Sequence, residues 1–343
     1  MSLPRSELGD WDFDLPGDLI AREPPVERDG GRLLVVDQGV HDYTVRDFPG
    51  LLQPGDLLVV NDVRVRRARL RARRESGGAI EILVLRSEGD RAEVLLRPAR
   101  KVHVGDILSV GSGFAHVESR ADEGRANLRF EPSLATIEAE VGEMPLPPYM
   151  GRPGDARDLE RYQTVYARRG LLAAAAAPTA GLHLTPALLA SLDASGVERA
   201  PLTLEVGLGT FRPVTEQVLA SGQLHPERFV VPARTWTAVE RAMRQGRRVV
   251  AVGTTSVRAL ESATGPGPGE TRAFFRPGWQ PSRVGALLTN FHLPRSSLLM
   301  LVAAFAGKDR VLAAYAHAIR RRYRFFSYGD ACFFPRPGGW PAG

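Results

Sequence analysis

Three short polar segments in the C-terminal half of the chain carry side chains that could do chemistry together. They are residues 177–183 (APTAGLH), 253–258 (GTTSVR) and 289–294 (TNFHLP), and each follows or abuts an apolar stretch. Histidine can transfer protons, while hydroxyls, an amide and a guanidinium can hold sugar, carboxylate or phosphate groups. We therefore expect one small-molecule site, assembled from segments that lie far apart in the sequence.

The segment 253–258 is the clearest of the three. Residues 249–252 predict a buried strand, and residues 259–262 begin as a helix would. Ligands of open α/β sheets bind where strand carboxyl ends lead into helix amino ends, because backbone N–H groups are free there. A well-capped helix start would also contain Ser and Thr, but we favour binding. No Lys follows the hydroxyls, so the segment is not a nucleotide P-loop.

The composition favours an anionic partner and excludes cysteine chemistry. The 343 residues carry a formal net charge of +6, and the cationic residues are mostly Arg. Nucleic acid would explain this charge, and so would a bias in coding. Cys332 is the only cysteine, which excludes internal disulfides and cysteine-based zinc or iron–sulfur sites. The seven histidines lack the spacing of a helical zinc motif, so we expect no metal.

Neither end of the sequence predicts contact with a membrane. The N-terminal residues contain no apolar core, and the run 298–306 is about half the length of a membrane span. We therefore expect a cytoplasmic protein without a signal peptide or a membrane partner.

The pattern of elements predicts an inserted domain. Residues 1–62 are typical of α/β structure, whereas residues 66–131 contain short alternating runs at spacings typical of a small antiparallel barrel. The α/β pattern returns from about residue 160. We expect an α/β fold, with a large mixed-sheet domain (1–62 plus 150–343) and an inserted all-β antiparallel barrel domain (63–149).

Two basic clusters could contact nucleic acid. In a strand, the first cluster would place its guanidiniums on one face, opposite small and apolar residues. Such a row repels itself unless RNA or acidic neighbours compensate it, and both alternatives stay open. The second cluster stands where a helix end is also expected. The residues are Arg67, Arg69, Arg71, Arg73, Arg320, Arg321 and Arg322.

A glycine pattern at residues 205–210 (EVGLGT) suggests another class of protein. Its spacing is similar to that of the methyltransferase glycine loop, but Phe211 follows where a small residue is usual. A class I methyltransferase therefore stays an alternative, as does a non-catalytic basic RNA-binding protein.

Read in order, these and other blocks resemble the S-adenosylmethionine:tRNA ribosyltransferase-isomerases of queuosine biosynthesis. The resemblance spans nearly the whole chain. Departures from the family pattern occur at Val63, at Arg66–Arg67, at Leu184 and in segments 168–174 and 274–285. The matching blocks are 13–16, 19–21, 55–59, 61–62, 161–167, 177–183, 209–214, 253–261, 289–294 and 323–331.

The resemblance implies a fold and a reaction. The fold is a large α/β domain with an inserted barrel. The reaction moves the ribosyl unit of S-adenosylmethionine onto the 7-aminomethyl-7-deazaguanine at the tRNA wobble position. It forms epoxyqueuosine and releases adenine and methionine. S-adenosylmethionine is then a co-substrate, no true cofactor or metal is needed, and tRNA is the partner of a chain that we expect to be monomeric.

This chemistry suggests roles for the polar residues. A carbon beside the sulfonium must lose a proton and the leaving adenine must be stabilised, so His183 and His292 are the candidate catalytic residues. Arg258 could meet a carboxylate or a phosphate. The remaining candidates for substrate binding are Thr179, Gly181, Gly253, Thr254, Thr255, Ser256 and Asn290.

Overall fold

The described residues form a nine-stranded mixed sheet and a closed six-stranded barrel. The computed structural model describes residues 7–168, 173–207 and 214–336. The strands are β1 (Arg32–Val36), β2 (Val40–Thr44), β3 (Leu57–Asn61), β4 (Arg64–Val65), β5 (Arg69–Arg74), β6 (Ala79–Glu88), β7 (Arg91–Arg97), β8 (Ile107–Val110), β9 (Gly113–Arg120), β10 (Arg125–Glu131), β11 (Ala173–Ala174), β12 (Glu198–Leu204), β13 (Gln223–Val231), β14 (Val249–Val252), β15 (Gly267–Ala273), β16 (Ala286–Asn290) and β17 (Ala331–Pro335).

The helices lie mostly in the C-terminal half. They are α1 (Leu134–Val141), α2 (Asp158–Arg161), α3 (Pro186–Ala194), α4 (Glu216–Ser221), α5 (Ala233–Arg244), α6 (Thr254–Ser262), α7 (Ser297–Ala306) and α8 (Lys308–Arg320). Thr179–His183 forms a 3-10 turn. None of the helices among the described residues is long and apolar enough to cross a membrane.

The order of the strands brings the polar segments to one edge of the large sheet. The order is β15-β13-β12-β3-β14-β16-β17-β1-β2, and β12, β3, β14 and β16 are parallel to their neighbours in that group. β17 runs antiparallel to β16. The carboxyl ends of β14 and β16 and the amino end of β17 therefore share one edge, which is where ligands bind in such sheets.

The sheet lies between two apolar layers because its central strands are buried on both faces. Ala251 and Leu287 pack into a core with α5, α6, α7 and α8, while Val250 and Leu288 pack on the other face against α3. Every residue of β14 and of β16 is buried. A continuous apolar run such as residues 249–252 is what this position demands.

The barrel has the order β10-β7-β6-β5-β8-β9 and closes on itself. Its interior is filled by one side of each alternating strand, including Leu70 and Ala72 of β5, and Leu134 and Ile137 of α1 pack against the same core. The expected fold, a mixed α/β sheet with an antiparallel barrel, is confirmed. The domain boundaries at residues 62–63 and 149–150 stay a prediction.

Two neighbouring strands of the large sheet lack a strand pattern over part or all of their length. β13 begins at Gln223, although its apolar run begins only at Phe229, because its first half carries polar and half-buried residues. β15 was not foreseen at all, because its sequence GPGETRA is rich in glycine and poor in apolar residues. Pairing with β13 keeps it extended despite this composition.

Candidate active site

Two of the three polar segments are joined directly by a hydrogen bond. Asn290, at the end of β16, places its Nδ2 atom 3.2 Å from Nε2 of His183 in the 3-10 turn. Asn290 and His292 also line one cavity together with Thr179 and Phe326. His183 and His292 are therefore held in neighbouring positions, although they lie far apart in the sequence.

The Asn290 amide has a fixed orientation. Its Nδ2 atom donates to the backbone carbonyl of Phe326 at 3.1 Å, and a carbonyl oxygen can only accept. The same amino group faces Nε2 of His183, so this ring nitrogen must accept and the proton of a neutral His183 must sit on Nδ1. The Oδ1 atom of Asn290 is buried and has no partner in the described part of the chain.

His183 is buried beside an acidic residue. Burial lowers its pKa to about 4, and the charge of Asp330 acts in the opposite direction. A Cβ atom on Gly31 would lie 3.6 Å from the His183 Nδ1 atom and 3.5 Å from an Asp330 carboxylate oxygen, so glycine leaves this space open. The imidazole is neutral at physiological pH.

His292 is buried with a different partner. Its Nε2 atom lies 3.0 Å from the Thr289 hydroxyl, and its backbone N–H donates to the hydroxyl of Tyr315 at 3.0 Å. Burial lowers the pKa of His292 to about 3. The ring is therefore neutral, and Nδ1 is the nitrogen that Thr289 leaves available.

The third segment begins α6 and packs against the same turn. Gly253 has a φ of 86°, which favours glycine, and a Cβ there would lie 3.6 Å from Ala180. The hydroxyl of Ser256 donates to the Val252 carbonyl at 2.8 Å, whereas the buried Thr255 hydroxyl has no partner among the described residues. Thr254 is the first residue of the helix and is buried.

Gly181 and Arg258 each contact a residue for which the sequence predicted no role. A Cβ atom at Gly181 would collide with the hydroxyl of Tyr166, so only glycine fits in this turn. Arg258 forms a buried ion pair with Glu227 of β13. It lines a second cavity, and Leu298 is a wall residue of both cavities.

Comparison with known proteins identifies the family. Residues 8–334 match the family model described as "Queuosine biosynthesis protein". The chain belongs to this family. It is 50% identical over 332 residues to the S-adenosylmethionine:tRNA ribosyltransferase-isomerase of Rhodospirillum rubrum, covering 94% of this chain and 96% of that protein. It is 49% identical over 343 residues to the protein of the same name from Xylella fastidiosa strain M12, covering 96% and 98%.

A solved structure agrees with this assignment. The crystal structure of S-adenosylmethionine tRNA ribosyltransferase from Thermotoga maritima superposes with a TM-score of 0.54 at 36% identity. The superposition covers 95% of this chain and 99% of the Thermotoga maritima chain. The similarity therefore extends over the sheet and the barrel together.

The departures from the family pattern lie mostly outside the polar edge. Val63 and Leu184 are buried in apolar cores, and Arg66 pairs with Glu138 of α1. In segment 274–285, Phe275 and Trp279 pack with ring centroids 4.2 Å apart. Three parts of these patterns lie outside the described residues: residues 209–213 of the block 209–214, the second half of the glycine pattern 205–210, and part of segment 168–174.

The first basic cluster of this family member is partly engaged within the chain. Arg67 donates to the Ala139 carbonyl, Arg69 donates to the Leu146 carbonyl, and Arg71 forms two hydrogen bonds with Glu143. Arg73 is exposed. Acidic neighbours therefore neutralise part of the positive charge of this row. Contact between these arginines and RNA stays a prediction.

The second basic cluster lies at the end of α8. Arg320, Arg321 and Arg322 are exposed. Arg322 pairs with Asp18, and Arg321 lies 3.7 Å from Asp42. The cluster lies at a solvent-facing helix end, and RNA contact at these residues stays a prediction. Among the described residues, no group of three or more His, Cys, Asp or Glu side chains is placed to hold a metal ion.

The sequence did not predict the residues outside the three polar segments that contact the site residues. Phe326 lines the cavity, has a φ of 76° and accepts the Asn290 hydrogen bond. A non-glycine residue in this region is strained, and such strain concentrates at functional sites. Glu227 was not foreseen, because an isolated acidic residue has no distinguishing pattern. Asp330 stands in the matching block 323–331, but no role was expected for it.

Burial of His183 predicts a pH effect on stability. Its pKa is about 4 in the folded chain against an ordinary 6.5, so below pH 6.5 the unfolded chain binds a proton that the folded chain refuses. The free energy of unfolding should fall as the pH drops from 6.5 to 4. Changing His183 to Gln should reduce that fall by about 2–3 kcal/mol, measured by denaturant unfolding across this range. An unchanged pH dependence would show that His183 is not held neutral.

Proposed function

We propose that this chain transfers and isomerises the ribosyl moiety of S-adenosylmethionine onto the 7-aminomethyl-7-deazaguanine at the tRNA wobble position. The products are epoxyqueuosine-tRNA, adenine and methionine. The observation that supports the proposal is that Thr179 of one polar segment and Asn290 and His292 of another line one cavity. The chain is also similar over nearly its full length to proteins of this name. S-adenosylmethionine is a co-substrate here, and the reaction uses no metal.

His292 is the better candidate for proton transfer. The reaction must remove a proton beside the sulfonium and supply a donor to the leaving adenine. The Nε2 atom of His183 already accepts from Asn290, so that lone pair is in use. His292 lines the cavity with Nδ1 outside its bond to Thr289. We assign proton transfer to Nδ1 of His292, and the positioning of Asn290 to His183.

Asn290 and Thr255 supply the polar atoms that bind the sugar. Each has a buried oxygen without a partner among the described residues, and leaving such an oxygen unpaired costs about 1–3 kcal/mol. A ribose hydroxyl in the cavity that Asn290 lines would satisfy the Asn290 oxygen. Thr255 is the candidate from the segment 253–258. Thr179 lines the same cavity as Asn290, and Thr254 begins α6. Ser256, Gly181 and Gly253 shape the backbone around these groups.

The products distinguish this function from its alternatives. Incubated with S-adenosylmethionine and tRNA carrying the aminomethyl base, the protein should release free adenine, with and without a chelator. A methyltransferase would release S-adenosylhomocysteine instead. A passive RNA-binding protein would bind the tRNA and leave S-adenosylmethionine intact. Either of those outcomes, established by chromatography of the small molecules, would refute the proposal.

Contact with tRNA should involve the free part of the barrel's basic row. Arg73 is exposed, so we expect Arg73→Ala to lower the slope of log affinity against log salt by about one unit. The matched control is Arg244→Ala, which removes the same charge at the end of α5, the helix that leads to the opposite edge of the sheet. If the salt dependence of tRNA binding were equal in both variants, Arg73 would be a solvated residue without contact to tRNA. The cytoplasmic location and the monomeric state stay predictions.

A further inference from the structure

A buried ion pair lies beside the candidate site, in the second cavity. Arg258 of α6 and Glu227 of β13 are 4% and 5% exposed, and the Nη1 atom of Arg258 donates to the Glu227 carboxylate. The other oxygen of Glu227 accepts from the backbone N–H of Gly207 at 3.1 Å. Burying two charges is costly unless their remaining hydrogen bonds are satisfied.

The hydrogen bonds of Arg258 are incomplete. Its Nε and Nη2 atoms are buried and have no partner among the described residues. These two atoms form one edge of the guanidinium, and their N–H bonds point in the same direction. Such an edge matches the two oxygens of a carboxylate, and this pairing is among the strongest that proteins use. Arg258 lines the cavity, and this edge of its guanidinium is the part that suits a carboxylate ligand.

The charge of the pair selects the ligand. Arg258 and Glu227 together are neutral, and both line the cavity. A phosphate dianion would meet the Glu227 carboxylate and be repelled. An α-amino acid carries a carboxylate and an ammonium group close together and is neutral overall. Its carboxylate fits the free edge of Arg258, and its ammonium fits beside Glu227.

The position of the cavity agrees with this assignment. Leu298 is a wall residue both of this cavity and of the one that contains Asn290 and His292. A ligand with its amino acid end at Arg258 can therefore place its other end near His292. S-adenosylmethionine has this form, with a methionine tail at one end and adenosine at the other.

We propose that Arg258 and Glu227 form the subsite for the amino acid tail of S-adenosylmethionine, with Arg258 holding the carboxylate and Glu227 holding the ammonium. The proposal rests on the proposed ribosyl transfer and adds to it the recognition of one end of the substrate. It also replaces the broader expectation that Arg258 meets either a carboxylate or a phosphate.

The test compares two substrates that differ only in the carboxylate. The protein is given S-adenosylmethionine or its decarboxylated analogue, together with tRNA carrying the aminomethyl base, and adenine release is measured. The wild-type protein should prefer S-adenosylmethionine by about a hundredfold or more in kcat/KM, because the analogue leaves buried polar groups unpaired. In Arg258→Met, kcat/KM for S-adenosylmethionine should fall to nearly that for the analogue, so the preference largely disappears.

Two further variants keep the test decisive. Arg258→Met removes one charge of a buried ion pair. The double variant Arg258→Met/Glu227→Met removes both charges, and it should also lack the preference if the single variant does not fold. Arg272→Met is the matched control, because Arg272 lines the same cavity but is exposed and lies 3.2 Å from Glu270. This control should keep the preference.

The outcomes separate the two proposals. A wild-type protein that releases no adenine from S-adenosylmethionine would refute the ribosyl transfer itself. A wild-type protein that releases adenine, paired with a folded Arg258 variant that still prefers the carboxylated substrate, would refute only the subsite. Equal losses on both substrates in the Arg258 variants would likewise give the ion pair a purely structural role.

Discussion

Changing His292 to Gln or Ala should lower turnover by about a hundredfold or more, which is the usual effect of removing a group that transfers a proton. The ring lines the cavity, and burial keeps it neutral with a pKa of about 3, so one nitrogen is free to accept or donate. The affinities for tRNA and for S-adenosylmethionine should stay near those of the wild type. Single-turnover adenine release measures the chemical step directly.

A structural role for His292 predicts a different result. The ring also contacts the Thr289 hydroxyl at 3.0 Å, so its loss could loosen the end of β16. Thr289→Val is the matched control, since it removes the hydrogen bond and keeps the imidazole. If the Thr289 variant lost turnover as completely as His292→Gln, with the same drop in unfolding temperature, His292 would have a packing role and no part in proton transfer.

Changing Asn290 to Ala should lower kcat/KM by roughly ten- to a hundredfold, the equivalent of about 1–3 kcal/mol for one buried hydrogen-bonding group. Its Oδ1 atom is the unpartnered oxygen, and its amino group is held by Phe326 and His183. Because His183 orients this amide, His183→Leu should show a similar loss. His183→Gln should recover most of the activity, since a Gln oxygen can accept the same hydrogen bond.

The two His183 variants separate positioning from catalysis. If His183 were catalytic, His183→Leu and His183→Gln should lose activity equally, because neither side chain exchanges protons at neutral pH. Kinetics with S-adenosylmethionine as the varied substrate, alongside thermal unfolding of both variants, would show this. If both variants lost activity to the same extent while folded, the positioning role of His183 would be wrong and the original expectation of a catalytic His183 would stand.

Much of the fold could be predicted because the strong periodic patterns lie where packing is simplest. Residues 249–252 are apolar at every position, and β14 is buried on both faces. The barrel strands alternate because each has one face in the core. β15 and the first half of β13 could not be predicted, since their extended form depends on pairing with each other and little on their own residue types.

Only those residues of the candidate site that lie in a recognisable sequence pattern could be predicted. His183, Asn290 and Arg258 lie in short polar runs after apolar stretches, a pattern that is visible in the sequence. Glu227 could not be found, because its role comes from β13 lying against α6. The orientation of the Asn290 amide depends on the backbone carbonyl of Phe326, and no residue type encodes that contact.

The central claim is that the ribosyl carbons of S-adenosylmethionine end on the tRNA base, and isotopic labelling tests it most directly. The protein is incubated with tRNA carrying the aminomethyl base and with S-adenosylmethionine labelled with carbon-13 either in the ribose or in the sulfonium methyl group. The digested nucleosides are then weighed by mass spectrometry. We expect a modified nucleoside that carries all the ribose label and none of the methyl label. A nucleoside labelled only from the methyl group would contradict the claim, and so would unmodified tRNA beside intact S-adenosylmethionine.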